Sequence, residues 1–168
     1  MRLLTIITII LITWTKDFAQ HNDELTHHRP LNNISFNLFG DVSLVSINYE
    51  RQFLIGSTFI LSTKFGVGLN PESPCCGVIP PIYVTIPHHI TGNLGRGKHF
   101  FEFGLGGTII SDYKPKPYLL YPLIGYRLLP LDSGKINFRI FGLLPLWGPI
   151  GTDEFNILPI GLNVGISF

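Results

Sequence analysis

Few side chains in this sequence could do chemistry, and they are scattered. His88, His89, His99, Glu102 and Ser111 come closest to a hydrolytic set. A nucleophilic serine needs a histidine that hydrogen-bonds both its hydroxyl and a carboxylate. His99 and Glu102 are three residues apart, so on an extended segment they point to opposite faces, which disfavours a direct pair. The neighbouring histidines His27-His28 and His88-His89 diverge in the same way, and no Cys/His spacing matches a zinc site. Cys75 and Cys76 are adjacent. Such a pair closes only a strained ring and cannot staple distant parts of a fold, so it is read as a local loop feature, with metal capture or pairing to a partner as the alternatives. Phosphate loops and nucleotide fingerprints are absent, and a formal net charge of +1 gives no basis for a nucleic-acid partner. No catalytic residue, metal or cofactor is assigned.

A second set is more informative. Glu50, Lys64, Glu102, Arg127 and Arg139 each fall out of phase with the apolar residues of their own segment. Around Glu102 the alternate positions are Phe101 and Phe103; around Arg139 they are Ile136, Phe138 and Ile140. A period of two means an extended strand with an apolar and a polar face. If the apolar faces, with Leu162 on the last segment, point outward, these five charges share the interior of a closed sheet. Asn48, Ser62, Tyr121 and Asn137 accompany them there. Two acids against three bases then form one paired polar plug, because buried charges without partners cost several kcal/mol each. A proton or solute path is the lesser alternative, since eight strands enclose a space that side chains can fill.

The elements that must position them are strands. Alternation marks Asn33 to Phe39, Val42 to Phe53, Thr58 to Gly68, Pro81 to Gly92, Lys98 to Ile110, Tyr118 to Leu129, Lys135 to Leu144 and the terminal stretch from Leu158. Short turns are expected at Gly40-Asp41, Leu54 to Gly56, Asn93 to Gly97 and Asp132 to Gly134, and longer connections at Asn70 to Pro80 and Pro145 to Asn156. Pro87 and Pro122 fall mid-strand, where a closed barrel has no free edge to absorb a missing donor, so bulges are expected there. The start of the chain has the pattern of a secretory signal peptide over residues 1–19: Met1-Arg2, an apolar run from Leu3 to Trp14, and a cleavage point after Ala19. Asp17 departs from the small residue usual at that place. Residues 20–32 are polar and expected to be flexible, and 33–168 form the one domain.

An even number of strands, only 14% charged residues and 45% hydrophobic ones predict an all-β, eight-stranded antiparallel up-and-down transmembrane barrel. With the leader, the glycine-rich strands, Ser46-Ile47-Asn48-Tyr49-Glu50, Gly125-Tyr126-Arg127 and the final Phe168, the chain resembles the small outer-membrane β-barrels of Gram-negative bacteria of the OmpA/OmpX type. That resemblance implies an outer-membrane location, contact with outer-membrane lipid and lipopolysaccharide, and handling by the outer-membrane assembly machinery. Phe168, Ile166 and Val164, apolar on alternate positions at the end of the chain, are expected to act as the membrane-assembly signal. The expected role is non-enzymatic: structural support or surface interaction through external loops whose ligand the residues do not specify. The alternatives are an exported soluble calyx for a hydrophobic ligand, as in lipocalins, and a lipid A-modifying outer-membrane enzyme.

Overall fold

The computed structural model describes residues 30–56, 58–71, 82–111, 117–129, 135–148 and 158–168. The expected leader, most of the polar lead-in with His27-His28, the Cys75-Cys76 pair and the Asp132 to Gly134 turn lie outside the described residues. Eight strands follow one another: β1 (Asn32–Phe39), β2 (Val45–Leu54), β3 (Phe59–Pro71), β4 (Ile82–Arg96), β5 (His99–Ile110), β6 (Tyr118–Leu128), β7 (Ile136–Leu143) and β8 (Ile160–Ser167). Each is antiparallel to its chain neighbours, and β8 returns to pair with β1, so the sheet is a closed barrel.

Alternation decides which way each side chain points. On β8, Ile160, Leu162, Val164 and Ile166 are exposed, while Gly161, Asn163, Gly165 and Ser167 are buried. The seam repeats the rule across strands. Ile34, Phe36 and Leu38 face outward beside Ile166, Val164 and Leu162, and Asn33, Ser35 and Asn37 face inward beside Ser167, Gly165 and Asn163. Amide side chains lock this join from inside: Asn137 donates to Asn33 Oδ1 at 2.9 Å and to Ser167 Oγ at 2.8 Å, and Asn163 donates to Asn37. A slip of one residue would turn every apolar side chain of β8 inward, so the register is strongly specified.

Several boundaries differ from expectation. β4 does not end at Gly92 but runs to Arg96, and the turn is Gly97-Lys98, with Gly97 at φ 63°. Asn93 is therefore an interior strand residue, donating to Ser62 Oγ at 2.9 Å and to the Ile60 carbonyl at 3.2 Å. β3 continues through Asn70 and Pro71. No residue is inserted at Pro87, whereas beside Pro122 the pairing slips by one residue. At Pro87 the β3–β4 pairing lapses between Phe65↔His88 and Gly68↔Thr85 and resumes in the same register. At Pro122 the β6–β7 ladder has just ended at Leu123↔Leu143, and the Pro122 carbonyl accepts from Leu144. A strand residue's N–H and C=O point to the same neighbour, so the donor that Pro122 lacks faces the point where β7 leaves the ladder. Beyond it the pairing resumes one residue out of step: the Leu146 and Trp147 amides both reach the Leu120 carbonyl, a bulge of the kind expected near Pro122.

β2 starts at Val45 rather than Val42, because the chain folds inward first. Phe39, Gly40, Asp41 and Val42 have φ of 59°, 65°, 53° and 61°, a run of left-handed residues that is an outlier for β-branched Val42. Asp41, Val42 and Ser43 are all buried. The first connection thus enters the barrel from the end that also carries the β3–β4, β5–β6 and β7–β8 connections.

Candidate functional site: the filled barrel interior

The interior has three layers. Near the short turns, Ile60, Phe100 and Leu129 pack together with Leu54 beside them. Near the other end, Val42 from the inturned connection packs with Ile110, Leu119, Tyr121, Leu123, Phe141 and Leu143. Between these apolar layers lie the charges, removed from water on both sides. The polar plug is thus one layer of the interior: the inward faces of β5, β6 and β7 turn apolar near the barrel ends, with Tyr121 contributing a ring as well as a hydroxyl.

All five predicted charges are in the middle layer and buried: Glu50, Lys64, Glu102, Arg127 and Arg139. Strand pairing sets Arg127 directly opposite Arg139, an arrangement that repels unless an anion intervenes. Glu102 supplies it from β5. One carboxylate oxygen accepts from Arg127 Nη2 at 3.0 Å and the other from Arg139 Nε at 2.5 Å. Arg127 also donates to Glu50. Lys64 is the registered partner of Glu50, yet its ammonium lies 2.6 Å from Asp41 Oδ2.

Asp41 and His89 are the two members that sequence reasoning missed. Arg139 Nη2 lies 3.3 Å from His89 Nδ1. Arginine can only donate, so Nδ1 is the acceptor and the ring proton sits on Nε2. His89 Nε2 is 3.0 Å from the Tyr121 hydroxyl. It is also 2.7 Å from Asp41 Oδ1, off the line of a hydrogen bond, so that contact is electrostatic. The sequence Glu50–Arg127–Glu102–Arg139–His89–Asp41–Lys64 is therefore continuous. Three acids, Asp41, Glu50 and Glu102, balance three bases, Lys64, Arg127 and Arg139, with His89 neutral in this tautomer. The mismatch of two acids to three bases was the available signal that an anion had to come from outside the strands.

The inturned connection is held by side chains from β1, β3, β4 and β5. Thr108 Oγ1 donates to the Asp41 carbonyl at 2.7 Å. Its single proton is thus committed, so it accepts from the Tyr121 hydroxyl 3.0 Å away, which in turn accepts from His89. Asn70 donates to the Val42 carbonyl at 2.7 Å, and the Ser43 and Thr85 hydroxyls are 2.6 Å apart. Asn37 donates to Asp41 Oδ2. Burial alone would push the Asp41 carboxyl pKa up. The His89 Nε2–H, 2.7 Å from Oδ1, and the Lys64 ammonium, and more weakly Arg139, outweigh it and hold the carboxyl well below the usual carboxylate range. A left-handed run of this kind persists only where its surroundings over-determine it.

The candidate hydrolytic residues are not brought together. His99 is on the exterior at the start of β5, hydrogen-bonded to the Tyr126 hydroxyl. Glu102 is in the interior, and Ser111, beyond the other end of β5, accepts from the Val84 amide at 3.2 Å. His88 and His89 diverge, His88 outward and His89 inward. No group of three or more His, Cys, Asp or Glu residues able to hold a metal occurs among the described residues. Val164, Ile166 and Phe168 are exposed along one line of the exterior, and the Phe168 backbone exchanges two hydrogen bonds with Asn32. No protein-family model, curated protein or solved structure matches the chain.

Proposed function

We propose that this chain is a non-enzymatic outer-membrane β-barrel, of the same architecture as the small OmpA/OmpX-type barrels, with a structural or surface-interaction role. The observation that carries this reading is the inverted distribution of polarity. Exterior positions such as Ile47, Phe65, Ile90, Phe101, Leu105, Ile124, Ile136 and Ile166 are more than half exposed, while the charged network is buried. A continuous apolar exterior on this scale is a liability in water and the normal state of a barrel in a bilayer. Four exposed cations, Arg51, Arg96, Lys98 and Lys135, gather near the short turns, where headgroups would lie.

In this reading residues 1–19 export the chain, and Val164, Ile166 and Phe168 present the apolar stripe that the assembly machinery handles. The bilayer supplies contact with phospholipid and lipopolysaccharide. A ligand-binding calyx needs an apolar hollow facing inward, and here the inward faces meet as packed rings and ion pairs. The lipid A-modifying alternative is disfavoured by the separation of His99, Ser111 and Glu102.

The test is insertion and topology together. Wild-type protein in outer-membrane fractions should migrate differently on a gel before and after heating. A lipid-soluble thiol label should modify Cys introduced at position 103 and spare Cys introduced at 102. Equal migration, or labelling at 102 in preference to 103, would overturn the reading.

A further inference from the structure

Outside the barrel, a groove of about 720 Å³ crosses β3 to β6, within the ~300–1,000 Å³ typical of small-molecule sites. Its body is apolar, lined by Phe59, Leu61, Ile90, Phe103, Leu105 and Leu120. One end is polar. His88 on β4 and Tyr118 on β6 reach each other over the intervening strand, with Nε2 and the hydroxyl 3.0 Å apart and the rings stacked at 5.6 Å. They can do so because β5 carries Gly107 at the crossing point. A Cβ there would lie 2.7 Å from His88 Nε2 and would overlap the Tyr118 hydroxyl. Trp147 stands 6.3 Å from Tyr118, so the polar end merges with an aromatic cluster of the kind found at a membrane–water interface. Four residues along β4, about 13 Å away at strand rise, the rings of Phe59 and Phe103 close over Gly92.

We propose that this groove is a specific site for one diacyl phospholipid, a proposal that rests on the membrane reading above. The Tyr118–His88 pair meets the ester linkage and one acyl chain lies along the apolar body. The gradient from hydrogen-bonding end to apolar body matches an amphiphile lying along the wall and not a ligand entering the barrel. The length of about 13 Å is roughly half the ~25 Å apolar band of a membrane barrel, so the site stays within one leaflet. Among the described lining residues the cation, Lys64, points into the barrel, and the hydrogen-bonding groups turned outward are His88 and Tyr118, which suit an ester carbonyl.

The test uses the full chain in nanodiscs of phosphatidylethanolamine and phosphatidylglycerol, released into the gas phase for native mass spectrometry. The wild type should keep one phospholipid at activation energies that strip the others. His88→Phe, which keeps the ring and loses the polar contact, and Gly107→Leu, which fills the crossing point, should each lower that occupancy about tenfold, the equivalent of one good hydrogen bond. Phe36→Leu, on the far side of the barrel, should not change it, and all four proteins should keep their heat-modifiable gel band. Equal retention in His88→Phe and the wild type would overturn the lipid site while leaving the membrane reading intact, as would preferential retention of added lipopolysaccharide. A wild type that fails to insert would overturn both.

Discussion

Asp41 carries more of the interior than any residue on a strand. Its carboxylate meets Lys64 and His89, its carbonyl is bonded by Thr108, and it sits in a left-handed run that is costly for its neighbours Phe39 and Val42. Asp41→Asn should destabilise the barrel by about 3–5 kcal/mol, the usual result of leaving one member of a buried ion pair uncompensated. Adding Lys64→Met should recover part of the loss. Urea unfolding in lipid measures both. The pH dependence has a definite sign. A carboxyl with a depressed folded-state pKa contributes stability above its ordinary value of about 3.9, and that contribution disappears as pH falls through the folded value. The unfolding midpoint should therefore be insensitive to this group near neutrality and fall below about pH 4, with a shallower fall in Asp41→Asn.

Glu102 poses the complementary case, because it separates two arginines that strand pairing sets face to face. Glu102→Ala leaves Arg127 and Arg139 opposed, and Arg139→Ala leaves one oxygen of Glu102 without its guanidinium. With both removed, Asp41 and Glu50 balance Lys64 and Arg127. The double variant should be more stable than the Glu102→Ala single, and the two changes should fail to add by about 0.5–3 kcal/mol in a double-mutant cycle. Simple additivity would mean that the pair does not interact as the 2.5 Å contact indicates.

At the scale of elements, the controlling feature is how β8 and the inturned β1–β2 connection accommodate Phe141 of β7. A Cβ at Gly40 would stand 2.8 Å from the Phe141 ring and 2.8 Å from the Gly161 Cα, and one at Gly161 would overlap the same ring. Gly40 also has φ 65°, so it answers both a steric and a conformational demand. Gly161→Ala should lower stability by about 1–3 kcal/mol through overpacking. Phe141→Leu, costly alone, should remove much of the cost of Gly161→Ala when the two are combined, because the smaller side chain vacates the ring's space and leaves the 2.9 Å approach to the Phe39 carbonyl. Comparing urea midpoints of the three variants distinguishes this from a general intolerance of side chains on β8.

On the scale of the whole molecule, a charged layer lies between two apolar ones, and the first connection closes one end from within. Among the described residues this layering predicts no continuous path for water and ions along the axis. Planar-bilayer recordings of reconstituted protein should show no steady ohmic conductance, in contrast to a barrel wide enough to leave an aqueous lumen. Regular open-channel steps in the wild type would contradict this account of the interior.

What the residue order determined by itself is the partition between the two faces. Side-chain direction in a strand is a local property with period two, so Glu50, Lys64, Glu102, Arg127 and Arg139 could be assigned to one face, and Phe101, Phe103 and Leu162 to the other, before any strand was paired. The strand number and antiparallel order followed from the same alternation and from the turns that interrupt it. The extent of β4 was less legible: Asn93 to Arg96 carries glycine and asparagine, which suit a turn equally well, and the ladders to His99 through Glu102 on one side and to Phe59 and Ile60 on the other hold it extended. Closure decided the rest. Arg127 and Arg139 became neighbours through register, and His89 joined them because β4 lies across the interior from β7. Asp41 looked like an ordinary turn residue because its role depends on an unbalanced positive charge contributed by strands far away in the sequence. That imbalance exists as an electrostatic field only once the barrel has closed around it, and it is what draws the turn inward.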